Sequence, residues 1–182
     1  MLKHTQLDHD AHTPSGHKSP LSLLADNLKS PLNVGSLFRL SDALGIAQLY
    51  LCGNTATPPN KKINKTSRST EKYVDYHYYE DAEQLVRSLK EDGSVIISLE
   101  ITCSSAAIDS QTFAREIRQG NPVCLILGAE DTGVNPNLLA LSDLSVHIPM
   151  AGQNSSMNVV SAASIACYET IRLQKNSRHL GE

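Results

Sequence analysis

Three short segments of this 182-residue chain combine glycine with amide, hydroxyl and charged side chains. They are DNLKSPLNVGSLFR at 26–39, GAEDTG at 128–133 and AGQNSSMN at 151–158. Glycine exposes the backbone to a ligand, and Asn, Ser, Glu and Arg offer it hydrogen bonds or charge. We therefore look for the chemistry of this protein in these three segments.

The segments follow apolar runs that are typical of strands. Two helical patterns, at 34–45 and 80–93, end in glycine and alternate with such runs. This alternation predicts an α/β domain with a mostly parallel sheet flanked by helices. Ligands of such sheets bind beyond the carboxyl ends of the strands, which is where the three segments lie. The strand-like runs are 21–25, 47–52, 73–79, 94–100, 122–128 and 144–150.

The composition indicates one water-soluble domain. Hydrophobic residues make up 40% and charged residues 19% of the chain, and no apolar run approaches the ~20 residues of a membrane-spanning helix. The four cysteines have no paired spacing, which indicates reduced thiols and neither a disulfide frame nor a metal site. The amino terminus lacks the pattern of a signal or transit peptide, so we expect a cytoplasmic protein without a membrane partner.

The two ends of the chain differ from its middle. Residues 1–19 are polar and lack an apolar period, which predicts a disordered leader. The folded domain is predicted over 20–176, and 177–182 is predicted as a short tail. The leader contains the histidines His4, His9, His12 and His17.

The net charge of −3 does not by itself indicate a nucleic-acid partner. The segment NKKINKTSRSTEK at 60–72, however, holds five Lys or Arg residues against one Glu, with hydroxyl and amide side chains between them. Such a segment could contact RNA phosphates or be a solvated flexible loop, and both interpretations stay open. The candidate RNA-binding residues are Lys61, Lys62, Lys65, Arg68 and Lys72.

Several common enzyme signatures are absent from the sequence. No G-x-G-x-x-G follows the first strand-like run and no Walker lysine motif occurs, which disfavours Rossmann dehydrogenases and P-loop NTPases. No G-x-S-x-G elbow occurs either, which disfavours an α/β-hydrolase. His147 lies inside an apolar run, where a hydrogen-bonded core histidine is more common than a catalytic one.

The three segments resemble, in order and spacing, the motifs of the SpoU (TrmH-type) RNA 2′-O-ribose methyltransferases of the SPOUT superfamily. The resemblance covers residues 20–172. The first motif, N-x-G-x-x-x-R, is matched by Asn33, Gly35 and Arg39. The second motif, G-x-E-x-x-G, is matched by Gly128, Glu130 and Gly133. The third motif, I-P-M-x-G followed by S-x-N, is matched by Ile148, Pro149, Met150, Gly152, Ser156 and Asn158.

The resemblance implies a fold and partners that the residue pattern alone does not. The expected fold is the SPOUT fold with a C-terminal deep trefoil knot, an exception to the rule against knotted chains. Residues 148–158 would form the knotted crossing, with small side chains for clearance. The residues by themselves also indicate a helix amino terminus capped by Asn154 or Ser155, which is compatible with the knot. The resemblance also implies S-adenosylmethionine as cofactor, RNA as substrate, with tRNA favoured over rRNA, and a homodimer through the knotted region.

The resemblance assigns catalytic roles to five side chains. Arg39 would activate the ribose hydroxyl or fix the adjoining phosphate, and the permanent charge of a guanidinium favours the phosphate. Glu130 would orient a backbone turn or Arg39, or act as the base instead. Hydrogen bonds to the ribose or phosphate would come from Asn33, Ser156 and Asn158.

The resemblance also places the cofactor in the second and third motifs, and a sulfonium methyl needs no metal. A SPOUT base methyltransferase and a non-catalytic RNA-binding protein of the same fold remain as alternatives. The expected cofactor-binding residues are Leu127, Gly128, Ala129, Glu130, Gly133, Ile148, Met150, Gly152, Ser156 and Met157.

Overall fold

A computed structural model describes residue 13 and residues 15–179, without the side chains of 177–179. Most of the predicted leader and the end of the predicted tail lie outside the described residues. The elements are β1 (Ser19–Asp26), α1 (Pro31–Leu44), β2 (Ile46–Cys52), α2 (Lys61–Ser67), a 3₁₀ turn (Thr70–Lys72), β3 (Tyr76–Tyr79), α3 (Ala82–Glu91), β4 (Val95–Leu99), β5 (Ala106–Ala107), α4 (Gln111–Ile117), β6 (Val123–Leu127), α5 (Pro136–Leu141), β7 (Leu144–His147) and α6 (Val159–His179).

The strands form one seven-stranded sheet in the order β3-β2-β1-β6-β4-β7-β5, and every adjacent pair is parallel. This confirms the predicted α/β class with a parallel sheet. The five residues of β6 are all buried, as expected for a central strand covered on both faces. The core on one face of the sheet includes residues of α1, α4 and α6, and the core on the other face includes residues of α3 and α5.

Helix α1 is built to hold the first motif. Ser30 caps its amino end by accepting a hydrogen bond from the Asn33 N–H, and Pro31 occupies its first turn. Gly45 ends the helix with a φ of 63°, in the left-handed region that glycine tolerates. The buried Phe38 packs edge-on against Tyr76, with ring centroids 5.0 Å apart. Asn33 and Arg39 are thereby fixed on one rigid element.

The basic segment at 60–72 is not a flexible loop, which was one of the two interpretations of its charge pattern. Seven of its residues form α2, capped by the side chain of Asn60, and Ile63 is fully buried. Gly35 explains how close α2 comes to α1, because a Cβ added there would lie 2.0 Å from Thr66 Oγ1 and 2.5 Å from the Ile63 carbonyl oxygen. The glycine of the first motif therefore fixes the basic helix against α1.

Other elements differ from the sequence-based expectation. Strand β3 starts at 76 and not at 73, because the 3₁₀ turn ends with the Tyr73 N–H donating to the Thr70 carbonyl. The short elements β5, α4 and α5 were not predicted. Helix α6 continues to 179, three residues into the predicted tail.

All four cysteines are free, and Cys103 alone is exposed. Burial raises the pKa of both Cys52 and Cys167 to about 12, and it also raises the pKa of Cys124. The described residues contain no cluster of His, Cys, Asp or Glu that could hold a metal ion. Across the same described part of the chain, every helix is too short or too polar to span a bilayer.

Candidate active site

A cavity of about 600 Å³ opens at the carboxyl ends of β4, β6 and β7. One wall is the end of β4, a second is the loop after β6, and a third is the segment that leads from β7 into α6. Its lining residues are Leu99, Glu100, Ile101, Gly128, Ala129, Glu130, Gly133, His147, Ile148, Met150, Asn154, Ser155, Ser156, Met157, Asn158, Val159 and Ala162. The second and third motifs thus meet around one space.

Most of the expected cofactor-binding residues line this cavity. Leu127 does not, because it belongs to β6 and is buried in the core. Gly152 lines a smaller adjoining cavity of about 450 Å³, together with Ile101 and His147. The expected residues on the main cavity wall are Gly128, Ala129, Glu130, Gly133, Ile148, Met150, Ser156 and Met157.

The wall at the end of β4 was missed by the sequence analysis. Leu99 and Glu100 end the apolar run 94–100 and Ile101 follows it, but none of the three belongs to a recognised signature. His147 is half-buried and its Nδ1 lies 2.9 Å from the Ser105 hydroxyl, as expected for a hydrogen-bonded histidine. The residue also lines the cavity, which the apolar pattern does not indicate.

The loop after β6 closes on itself through two backbone hydrogen bonds between Ala129 and Gly133, at 3.1 and 2.9 Å. Gly133 has a φ of 69°. A Cβ at Gly128 would lie 2.1 Å from the Gly133 carbonyl carbon and 2.2 Å from the Val134 nitrogen. Clearance is therefore needed at Gly128. Such clearance was expected within 148–158, but a Cβ at Gly152 would meet no atom of the described residues within 4 Å.

Three side chains, one from each motif, form a hydrogen-bonded chain beside the cavity. Asn33 Nδ2 donates to Glu130 Oε1 at 2.8 Å, and Asn158 Nδ2 donates to Asn33 Oδ1 at 3.2 Å. The partner of Glu130 is thus Asn33, and not Arg39, which was one of the expected partners. We call this the Asn33–Glu130–Asn158 chain.

Asn158 also caps α6. Its Oδ1 accepts hydrogen bonds from the Val160 and Ser161 N–H groups, at 2.9 and 3.3 Å. The expectation that Asn154 or Ser155 caps this helix is wrong, because the helix begins four residues later than Ser155. Asn154 instead accepts from the Ser156 N–H at 3.3 Å within the preceding loop.

Arg39 lies away from the cavity. Its exposed side chain lines a separate groove of about 560 Å³, which also contains Lys65 and Arg68. The hydroxyls of Ser36 and Thr66 border the same groove. We call this surface the basic groove. The remaining predicted RNA-binding residues, Lys61, Lys62 and Lys72, are exposed nearby on α2 and the 3₁₀ turn.

Glu71 holds the 3₁₀ turn against α2. Its carboxylate accepts from the Ser67 hydroxyl and, at 2.7 Å, from Asn64 Nδ2. The hydrogen bond from Ser67 lowers the pKa of Glu71, and the hydrogen bond from Asn64 and the charge of Lys72 lower it further. The one carboxylate in the basic segment thus stabilises the packing of the 3₁₀ turn against α2.

Comparison with known proteins identifies relatives across most of the chain. The profile of the SpoU rRNA Methylase family matches residues 20–168. The tRNA (guanosine(18)-2′-O)-methyltransferase of Thermus thermophilus is 31% identical over 152 residues, which are 84% of this chain and 74% of that enzyme. The 23S rRNA (guanosine-2′-O-)-methyltransferase RlmB of Vibrio parahaemolyticus is 28% identical over 156 residues, 86% of this chain and 60% of that enzyme.

Solved structures share the fold. The A. aeolicus TrmH/SpoU tRNA modifying enzyme is 27% identical and superposes with a TM-score of 0.75, over 86% of this chain and 76% of that one. The SpoU methyltransferase AviRb from Streptomyces viridochromogenes is 26% identical with a TM-score of 0.73, over 86% of this chain and 60% of that one. AviRb in complex with AdoMet, at 24% identity and a TM-score of 0.75, shares the fold.

Proposed function

The chain belongs to the SpoU rRNA Methylase family, and from this premise we propose that it transfers a methyl group from S-adenosylmethionine to a ribose 2′-hydroxyl of RNA. The observation that carries the proposal is the Asn33–Glu130–Asn158 chain, because it joins all three motifs beside one cavity. Curated relatives that act on tRNA and on rRNA both match most of this chain. We favour tRNA because this chain spans 74% of the Thermus tRNA enzyme and 60% of the Vibrio rRNA enzyme.

The cavity is suited to S-adenosylmethionine. Leu99, Ile148, Met150 and Ala162 offer apolar contacts to an adenosine, and the loop 128–133 offers backbone N–H and C=O groups. Among the described residues, two carboxylates and neither Lys nor Arg line the same space, which suits a cationic ligand. When bound, this cofactor would supply an electrophilic methyl group to the ribose 2′-oxygen, and water would take the proton that this oxygen gives up.

In this proposal, side chains of the protein position the RNA. Asn33 and Asn158 hold the target ribose or its phosphate, with Ser156 beside them on the cavity wall, and Glu130 orients the Asn33 amide. Arg39 fixes a neighbouring phosphate with its guanidinium, together with Lys65 and Arg68 of the basic groove. Lys61, Lys62 and Lys72 extend this phosphate-binding surface along the RNA.

We further propose that the protein acts as a homodimer. Arg39 does not line the cavity of its own chain, so a second protomer would be needed to bring a basic groove next to that cavity. Large apolar side chains are exposed on α1 and α6, as a dimer interface requires: Leu32 at 47%, Ile165 at 43% and Tyr168 at 65%. Sedimentation at micromolar concentration tests this, and a monomer would contradict it.

The trefoil knot is part of the same proposal. A chain end that is threaded beside the loop after β6 requires the backbone segments to come close together. Two features support this: the close backbone approach at Gly128 and the packing of α6 against α1 and β1. Ser19 on β1 donates to Gln174 on α6 at 2.8 Å, which anchors α6 against β1. The path of 128–158 in an experimental electron-density map tests the knot.

Cofactor binding is the first test. S-adenosylmethionine at a hundredfold excess over its Kd is expected to stabilise the protein by about 2.7 kcal/mol, because it binds only the folded state. At this chain length the melting temperature should rise by about 5–10 °C. Differential scanning fluorimetry measures the shift, with NAD and ATP as controls that should do much less. Equal shifts from all three compounds, or none from the first, would contradict the methyltransferase assignment.

The site of methylation is the second test. Alkaline cleavage of RNA needs a free 2′-oxygen to attack the neighbouring phosphodiester, so a 2′-O-methyl blocks the break at one position. A tRNA treated with the protein and S-adenosylmethionine should give a ladder with one missing band, in a loop where an unstacked nucleotide reaches the cavity. The control omits the cofactor. Incorporation of radiolabelled methyl with a complete ladder would point to base methylation instead.

A further inference from the structure

Glu100 joins two walls of the cavity with its carboxylate. Its Oε1 accepts a hydrogen bond from the Ile101 N–H at 2.9 Å, at the end of β4. Its Oε2 accepts from the Val134 N–H at 2.9 Å, just beyond the loop after β6. Gly133 lies directly against it, since a Cβ there would be 2.4 Å from Oε2. Both carboxylate oxygens are therefore held in place by backbone groups.

The hydrogen bonds of Glu100 fix its position but do not neutralise its charge. The N–H donors are uncharged, and within the described part of the chain neither Glu100 nor Glu130 forms a salt bridge. None of the Lys and Arg residues that the structure describes lines the cavity. The cavity wall therefore carries two carboxylates that no cation of the described residues offsets.

We propose that Glu100 makes the cavity prefer the cationic cofactor to the neutral reaction product, an inference that rests on the proposed function. S-adenosylmethionine carries a sulfonium, an ammonium and a carboxylate, and thus one net positive charge. After methyl transfer the sulfur is a neutral thioether and the net charge is zero. The half-buried Glu100 carboxylate attracts the cationic cofactor more strongly than the neutral product. Water screens this interaction less at a half-buried position than at an open surface.

This role differs from that of a structural brace. If Glu100 only fastened the loop after β6 to β4, its loss would weaken cofactor and product binding by the same factor, since both share the adenosine. If its charge selects the cofactor, its loss weakens cofactor binding more. Rapid release of the product would then follow from the loss of the positive charge in the reaction itself.

The test is the ratio of two dissociation constants. Isothermal titration calorimetry gives Kd for S-adenosylmethionine and for S-adenosylhomocysteine with the wild-type protein and with Glu100→Gln. The variant keeps the size of the side chain and removes its charge together with one of its two hydrogen-bond acceptors, and the loss of that hydrogen bond should weaken both affinities alike. We expect the preference for the cofactor to fall about fivefold to tenfold in the variant. Glu91→Gln makes the same charge change on the exposed end of α3 and should leave the ratio unchanged.

A second measurement requires no substitution. Salt screens the attraction of a charged ligand, so the wild-type affinity for S-adenosylmethionine should fall from low to high ionic strength while that for S-adenosylhomocysteine stays nearly constant. Equal losses of both affinities in Glu100→Gln, or equal salt dependences in the wild type, would overturn the inference. A wild-type protein that bound neither compound would instead overturn the proposed function.

Discussion

Replacement of Arg39 by alanine is expected to lower the rate of methyl transfer by ~10² or more while changing the affinity for S-adenosylmethionine by no more than a few fold. The reason is the position of the side chain. Arg39 lines the basic groove with Lys65 and Arg68 and does not reach the cavity of its own chain. Its loss should remove a contact with RNA that positions the ribose, and leave the cofactor contacts intact.

Arg39→Lys should not restore the rate, because the lysine ammonium is a point charge and lacks the planar fork that holds a phosphate through two hydrogen bonds. Single-turnover methylation measures the rate, and calorimetry measures cofactor affinity. Arg87→Ala, at an exposed position of α3, is the matched control for loss of one arginine and should keep the wild-type rate. Near-native turnover of Arg39→Ala would remove this residue from the mechanism.

Gly128→Ala is expected to cause the other large effect, a loss of both stability and cofactor binding. The added methyl would lie within 2.3 Å of three backbone atoms of Gly133 and Val134. Backbone atoms cannot rotate away as a flexible side chain can, so the loop after β6 must shift. Overpacking of this kind costs about 1–3 kcal/mol or more. The melting temperature should therefore fall by about 2–4 °C for each kcal/mol, and the cavity wall should be distorted.

The third motif provides the control for this substitution. Gly152→Ala adds the same methyl group where no atom of the described residues lies within 4 Å, so it should leave the melting temperature close to wild type. Thermal unfolding followed by circular dichroism compares the stability of the two variants, and calorimetry measures the cofactor affinity of Gly128→Ala. Similar losses in both would show that the close approach at Gly128 does not determine its effect.

The strands and the location of the site could be predicted because they depend on local patterns. The apolar run 122–128 corresponds to β6, and the segments after it and after β7 line the cavity. The wall formed by Glu100 could not be predicted, because it depends on β4 lying between β6 and β7. Strand order results from tertiary packing, and no pattern within 94–100 encodes it.

Helix α2 shows a second limit. Its charges dominate the sequence pattern at 60–72, while the residue that fixes it, Ile63, is a single apolar position that packs where Gly35 leaves room. The cap of α6 shows a third limit, because Asn154, Ser155, Ser156 and Asn158 are all able to cap. Asn158 is the cap, and it also donates a hydrogen bond to Asn33, 125 residues earlier in the chain. Such a choice depends on a distant residue.

The order of the strands also affects how the protein is made. Strand β1 pairs with β2 on one side and with β6 on the other, where Leu23 lies opposite Leu125. During synthesis β1 and β2 leave the ribosome long before β6, so one edge of β1 stays without its partner while more than half of the chain is translated. An unpaired apolar edge is a template for association with other chains. We therefore expect nascent chains that stop before 123 to aggregate or bind chaperones, and chains that include β6 to be protected.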